Sequence, residues 1–279
     1  MHKGKYLPDN IKASDRLIVA LDFDTEADAE NLVNALGETV CFYKVGWQLF
    51  LGAGWSVLRF LLDNKKKVFL DLKINDIEAT VRSAINNIPK GISGNIELLT
   101  IHGNGPTVKA AKAGRNGNAK PYLLMITALS SMDDSDIRDI YLTSDEHITT
   151  SAIVKLRAER ALEAGCEGLI ASGESVKELR ESFKDRDFII VTPGIRPVGA
   201  GKDDHKRSLT PYEAIQSGSD YLVVGRPITR SDNPLKTAKE IISDIDKALT
   251  GTEANSSTPS HESGSQIKDN NFKEPLINS

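Results

Sequence analysis

The chain has 279 residues, 39% hydrophobic and 27% charged, so it can bury a sizeable core and is not disordered as a whole. Its 35 basic and 39 acidic side chains give a formal net charge of −4. With no basic tract of the kind that grips nucleic acid through counterion release, that balance argues against a nucleic-acid partner.

Residues 1–13, MHKGKYLPDNIKA, read as a flexible lead-in without the apolar core of a signal peptide. Short apolar, β-branched runs then recur at 16–22, 40–46, 67–73, 96–103, 122–129, 168–172, 188–194 and 221–226, which predicts eight strands. Amphipathic stretches lie between most of them. In 25–37, Ala27, Leu32, Val33 and Leu36 are available for one face, and 151–165 stops at a glycine, Gly165. Strands alternating with helices imply a parallel sheet, and near-continuous apolar strands imply burial on both faces. Eight of them predict a single-domain α/β fold, a (β/α)8 TIM barrel over 14–249, close to the typical length of roughly 250 residues. An open doubly wound sheet is the alternative, but no GxGxxG follows the first strand. Residues 250–279 are polar, without apolar periodicity, and read as a disordered tail.

No apolar run approaches the roughly 18 residues of a membrane span. The two cysteines, Cys41 and Cys166, form neither a CxxC pair nor a disulfide framework. A soluble, cytoplasmic protein with no membrane partner is expected.

In a (β/α)8 barrel the active site is built on the rim at the C-terminal strand ends. The unusual polar residues fall there: Asp22 after the first strand, Lys44 on the second, Asp71 and Lys73 on the third, His102 on the fourth, Ser130 after the fifth and Arg226 on the eighth. Any one of these is ordinary as a solvated strand end, but seven on one rim are not. Asp71 and Lys73, two apart, project from the same face of a strand with Cα atoms about 6 to 7 Å apart. With Leu72 packed outward, both charges point into the mouth, where Asp22 and Lys44 can pair with them, as interior charges require. D-x-K-x-x-D alone is a weak pattern, and a structural ion-pair cluster fits the same residues.

TPGIRP (192–197) and VVGRPIT (223–229) close the seventh and eighth strands, where such barrels often bind phosphate. Gly194 and Gly225 let backbone N–H groups approach an oxyanion, and Arg196 and Arg226 each offer a planar fork of donors. The polar stretch 198–211 between them suits a lid over that phosphate.

LIVALD, FYKVG, FLDLKxxDI with Thr80, TPGIRP, the DD-x-KR-x-x-TP loop and DYLVVGRPIT, in that order and spacing over roughly residues 16 to 245, resemble the orotidine 5′-phosphate decarboxylase family. The resemblance implies a carboxy-lyase that converts orotidine 5′-phosphate to UMP in pyrimidine biosynthesis, with no cofactor and no metal. It matches Lys44, Asp71, Lys73 and Asp76 to the catalytic charged array. Lys73 would stabilise and protonate the C6 carbanion, and Lys44 would hold Asp71 and the ribose. The resemblance also implies a homodimer, with Asp76 and Thr80 supplied across its interface. Asp22 would contact the ribose, Ser130 the pyrimidine, and Arg196, His205, Gly225 and Arg226 the phosphate. The sequence departs from the family at His205, commonly Gln, at Asn75, Glu78 and Ala79, commonly His, Pro and Asn, and at Ser130 and Ser131, commonly Thr-Ser. The alternatives are a sister enzyme, a Mg²⁺-dependent sugar-phosphate decarboxylase or aldolase sharing D-x-K-x-x-D, and a catalytically dead nucleotide-binding protein.

Overall fold

The computed structural model describes residues 5–7, 11–129, 131–173, 175–197 and 208–251. Ser130, His205, most of the 198–211 stretch and the tail from 252 lie outside the described residues.

Eight parallel strands close on themselves in sequence order: β1 (Leu17–Ala20), β2 (Phe42–Gly46), β3 (Lys67–Ile74), β4 (Ile96–Ile101), β5 (Tyr122–Ile126), β6 (Gly168–Ile170), β7 (Ile189–Thr192) and β8 (Tyr221–Val224), with β8 pairing β1. This is the expected (β/α)8 barrel. Around it run α1 (Ala13–Arg16), α2 (Glu26–Leu36), α3 (Trp47–Ala53), α4 (Trp55–Asp63), α5 (Glu78–Asn86), α6 (Lys90–Ser93), α7 (Gly105–Gly114), α8 (Asp134–Ile140), α9 (Thr150–Glu163), α10 (Ser175–Ser182), α11 (Pro211–Gln216), α12 (Arg226–Thr229) and α13 (Pro234–Thr250).

Local chemistry sets the helix ends. Thr25 caps α2 by accepting from the Asp28 N–H at 3.2 Å, and Asn233 caps α13 by accepting from Lys236 at 3.0 Å before a proline at its first turn. The inward stripe of α2 is Ala29, Leu32, Val33 and Leu36, all buried, while Ala27 is exposed. The expected face was therefore right in direction but misplaced at its first residue. Positions 29, 32, 33 and 36 follow the i, i+3, i+4, i+7 spacing of one helical face, and 27 does not.

Strand alternation divides the core in two. Leu17, Val19, Val45, Leu70 and Leu72 point outward and pack with the helices in one large cluster. Ile18, Ala20, Phe42, Phe69, Leu98 and Leu124 belong to a second cluster that fills the barrel interior. At the N-terminal end Phe42 and Tyr221 meet edge to face at 5.6 Å, and Tyr6 packs edge to face on Tyr122 at 5.4 Å. That end is thus closed by apolar rings, and the same inward parity carries Lys44, Asp71 and Thr100 to the opposite, C-terminal end.

Candidate active site

Lys44 follows Phe42 on the inward face of β2, and Asp71 and Lys73 follow Phe69 on that of β3, so the interior turns from apolar to charged at one level. Register aligns them: Ala20 pairs with Lys44, Lys44 with Phe69, and Gly46 with Asp71. The Lys44 ammonium lies 2.9 Å from Asp22 Oδ1 and 3.6 Å from Asp71 Oδ2. Lys73 Nζ donates to both Asp71 oxygens at 2.9 Å each. The four side chains form a continuous chain of alternating charge, Asp22, Lys44, Asp71, Lys73, as interior charges demand.

Asp71 is 9% exposed. Burial alone would raise its pKa, but the charges of Lys44 and Lys73, with hydrogen bonds from Lys73 and Thr100, outweigh it and hold the carboxyl below the usual range. His102, just beyond β4, has its pKa lowered by burial and then by the cations Arg157 and Lys73. It does not line the cavity described next.

A cavity of about 250 Å³ opens over the cluster. Asp22, Lys44, Asp71 and Lys73, from the ends of β1 to β3, line it together with Gly194, Arg196, Gly225 and Arg226, from the ends of β7 and β8, and with apolar residues that include Phe69, Ile126, Ile170 and Val223. Gly194 has φ of 77°, a left-handed conformation that favours glycine. Arg196 is fixed at its backbone by the Leu209 carbonyl at 2.9 Å, and its guanidinium donates to the Ile195 carbonyl at 2.9 Å. Eight of the residues expected from the sequence are thus brought together: Asp22, Lys44, Asp71, Lys73, Gly194, Arg196, Gly225 and Arg226. Asp76 and Thr80 are not among the lining residues. Both are exposed on the rim, Asp76 accepting from its neighbour Ile77 at 2.6 Å and Thr80 in the first turn of α5.

Two residues of the site escaped the sequence reading. Gly46 ends β2 where a Cβ would stand 3.0 Å from the Lys44 ammonium, so a side chain there would crowd that charge. Thr100, fully buried on β4, donates to Asp71 Oδ1 at 2.8 Å and accepts from the Lys73 N–H at 2.8 Å. Gly46 lies in FYKVG, but Thr100 resembles any β-branched strand former in IELLTI. Among the described residues, no group of three or more His, Cys, Asp or Glu is placed to hold a metal ion, and no helix is long and apolar enough to cross a membrane.

A family model described as Orotidine 5′-phosphate decarboxylase / HUMPS family matches residues 15–241. The chain belongs to that family. It is 43% identical over 241 residues to the orotidine 5′-phosphate decarboxylase of Nitrobacter winogradskyi, covering 86% of this chain and 97% of the relative. Identity to that of Methylobacterium nodulans is 39% over 241 residues, 86% of this chain and 99% of the relative. Among solved structures, the crystal structure of the Lactobacillus acidophilus orotidine 5′-phosphate decarboxylase superposes with a TM-score of 0.69 at 33% identity, covering 82% of this chain and 98% of that one. Membership agrees with the barrel.

Proposed function

We propose that this chain decarboxylates orotidine 5′-phosphate to UMP, the last step of pyrimidine nucleotide synthesis, as a carboxy-lyase that needs no cofactor. The observation that carries the reading is the Lys44–Asp71–Lys73 cluster at 2.9 to 3.6 Å, lining one cavity together with Arg196 and Arg226. A nucleotide whose phosphate meets the two arginines brings its base over the apolar floor and toward Lys73.

Breaking the C6–carboxylate bond releases CO₂ and leaves an electron pair on C6 in an in-plane orbital that the pyrimidine π system cannot delocalise. Lys73 stabilises that pair by its fixed charge and then gives it a proton, its neutral amine recovering one from solvent. Asp71, held between two lysines, fixes the ammonium before the substrate arrives. Lys44 orients Asp71 and, with Asp22, holds the ribose. Binding energy at the distant phosphate, through Arg226, Arg196, Gly225 and His205, offsets the cost of bringing the carboxylate near Asp71. Ser130 reads the pyrimidine edge.

The active unit is a homodimer in which Asp76 and Thr80 enter the partner subunit's site. What supports this is their exposure on the rim together with apolar neighbours: Ile77 is 72% exposed, and Trp47 and Leu51, on the helix after the adjacent strand, are exposed as well. Such side chains gain by burial against a second copy. The catalytic domain corresponds to residues 14–249, close to the span from α1 to α13, Ala13 to Thr250, and the enzyme works in the cytoplasm.

The deciding experiment follows the orotate absorbance of orotidine 5′-phosphate with purified protein, with and without a chelator. Turnover that survives the chelator is expected. Loss of turnover on chelation, restored by Mg²⁺ and accompanied by activity on sugar phosphates, would point to the sister enzymes instead. Tight UMP binding without turnover would mark a dead nucleotide-binding protein.

A further inference from the structure

The β3–β4 ladder is irregular at the site. Leu70 pairs with Leu99 and Ile74 with Ile101, so β3 takes four steps where β4 takes two. Asp71, Leu72 and Lys73 arch out of the ladder as a bulge. Lys73 turns through φ of 47°, uncommon for a residue other than glycine. Its N–H donates to the Thr100 hydroxyl at 2.8 Å.

A hydroxyl has one proton and two acceptor lone pairs. Since Thr100 Oγ1 accepts from Lys73, its own proton is free for Asp71 Oδ1, also at 2.8 Å. Thr100 is fully buried, so no water competes for either bond. One side chain therefore fixes both the backbone that carries Lys73 and the carboxylate that holds its ammonium.

We infer that Thr100 is a positioning residue for decarboxylation, registering Lys73 and Asp71 against each other through a single hydroxyl on the neighbouring strand. The inference rests on the proposed activity and deepens it. Thr100 does not line the cavity and acts through the two residues that do. Valine copies the shape of threonine but leaves the Lys73 N–H and one Asp71 lone pair unmet, allowing the bulge to relax and the ammonium to shift.

The test compares wild type, Thr100→Val and Thr100→Ser for kcat, KM and the pH profile of kcat/KM on orotidine 5′-phosphate. The valine variant should lose about 10- to 100-fold in kcat, the scale of a misplacement near 1 Å. Its KM should stay within about threefold, because the residues proposed to grip the phosphate follow β7 and β8, not β3 or β4. The acid limb should move to higher pH, since Asp71 loses a bond that favours its charged form. Serine should restore both kcat and profile. A valine variant within about twofold of wild type in kcat, or a serine variant as slow as valine, overturns the inference. If valine does not fold, alanine and serine form the same comparison, and equal rates for those two overturn it. Wild type inert on orotidine 5′-phosphate would instead sink the proposed activity, and the inference with it.

Discussion

Truncating Lys73 to alanine removes one charge and one proton donor from a cluster whose other members keep partners. Asp71 retains the Thr100 hydroxyl at 2.8 Å and Lys44 at 3.6 Å, so the fold and the nucleotide pocket should persist. A unit charge 4 Å from a developing carbanion at an effective dielectric of 20 is worth about 4 kcal/mol, or about a thousandfold in rate. Loss of a positioned proton donor adds about 10² to 10⁴. Because one side chain does both tasks the factors overlap, and a fall in kcat of about 10⁵-fold is the expected result. Absorbance at the orotate band reports turnover, calorimetric titration with UMP reports binding, and thermal unfolding reports the fold. UMP affinity within about tenfold of wild type, with kcat nearly abolished, is the predicted pattern. A folded Lys73→Ala enzyme retaining a tenth of wild-type kcat would refute the assignment of both roles to this residue.

Arg226→Ala should cost orotidine 5′-phosphate about 100-fold in kcat/KM, the worth of one or two charge-assisted hydrogen bonds, and leave the phosphate-free nucleoside nearly unaffected. Equal losses on the two substrates would remove its phosphate role. Mixing Lys73→Ala with Asp76→Ala subunits after reversible dissociation should regain activity, because each mixed dimer holds one intact site, about one site in four at random pairing. No recovery, with mixed dimers verified by mass spectrometry, would place Asp76 in its own subunit's site. Stability should fall in two steps on acidification. His102 has a lowered folded pKa, so its contribution is complete above its unfolded value near 6.5 and declines as pH drops through the folded value. Asp71, also lowered, contributes above its unfolded value near 3.9 and is lost only as pH falls through its still lower folded one. His102→Asn should flatten the upper step in a pH series of thermal midpoints. An unchanged step would show that other groups cause it.

The barrel was legible because burial on both faces writes eight apolar runs into the chain, and no other signal is as redundant. Strand ends were less so. The runs at 122–129, 188–194 and 221–226 pass beyond β5, β7 and β8, which stop at Ile126, Thr192 and Val224. At the C-terminal rim the chain leaves the ladder to build the site while keeping small and apolar residues, so composition does not mark the exit. Asp22, Lys44, Asp71 and Lys73 were legible because charges after apolar runs are conspicuous, and two-residue spacing fixes their face. The hydrogen bonds of Thr100 were not, because they depend on a register shift and a left-handed Lys73, both products of pairing between strands distant in sequence. Gly46 escaped for a related reason: the space it leaves matters only once Lys44 has folded back over it.

The charged level of the barrel has a consequence for the evolution and engineering of this enzyme. Lys44 and Asp71 occupy interior positions where such barrels ordinarily stack branched apolar side chains. Replacing a buried ion cluster with well-packed apolar residues is often neutral or stabilising, by about 1 to 4 kcal/mol. Selection for robustness alone would therefore erode the mouth first, and a lineage released from catalysis would drift toward leucine and methionine there. Attempts to raise the melting temperature face the same conflict. Gains that leave turnover intact belong in the helix caps and the outer cluster around Leu32, Leu58 and Ile241, not in the charged layer.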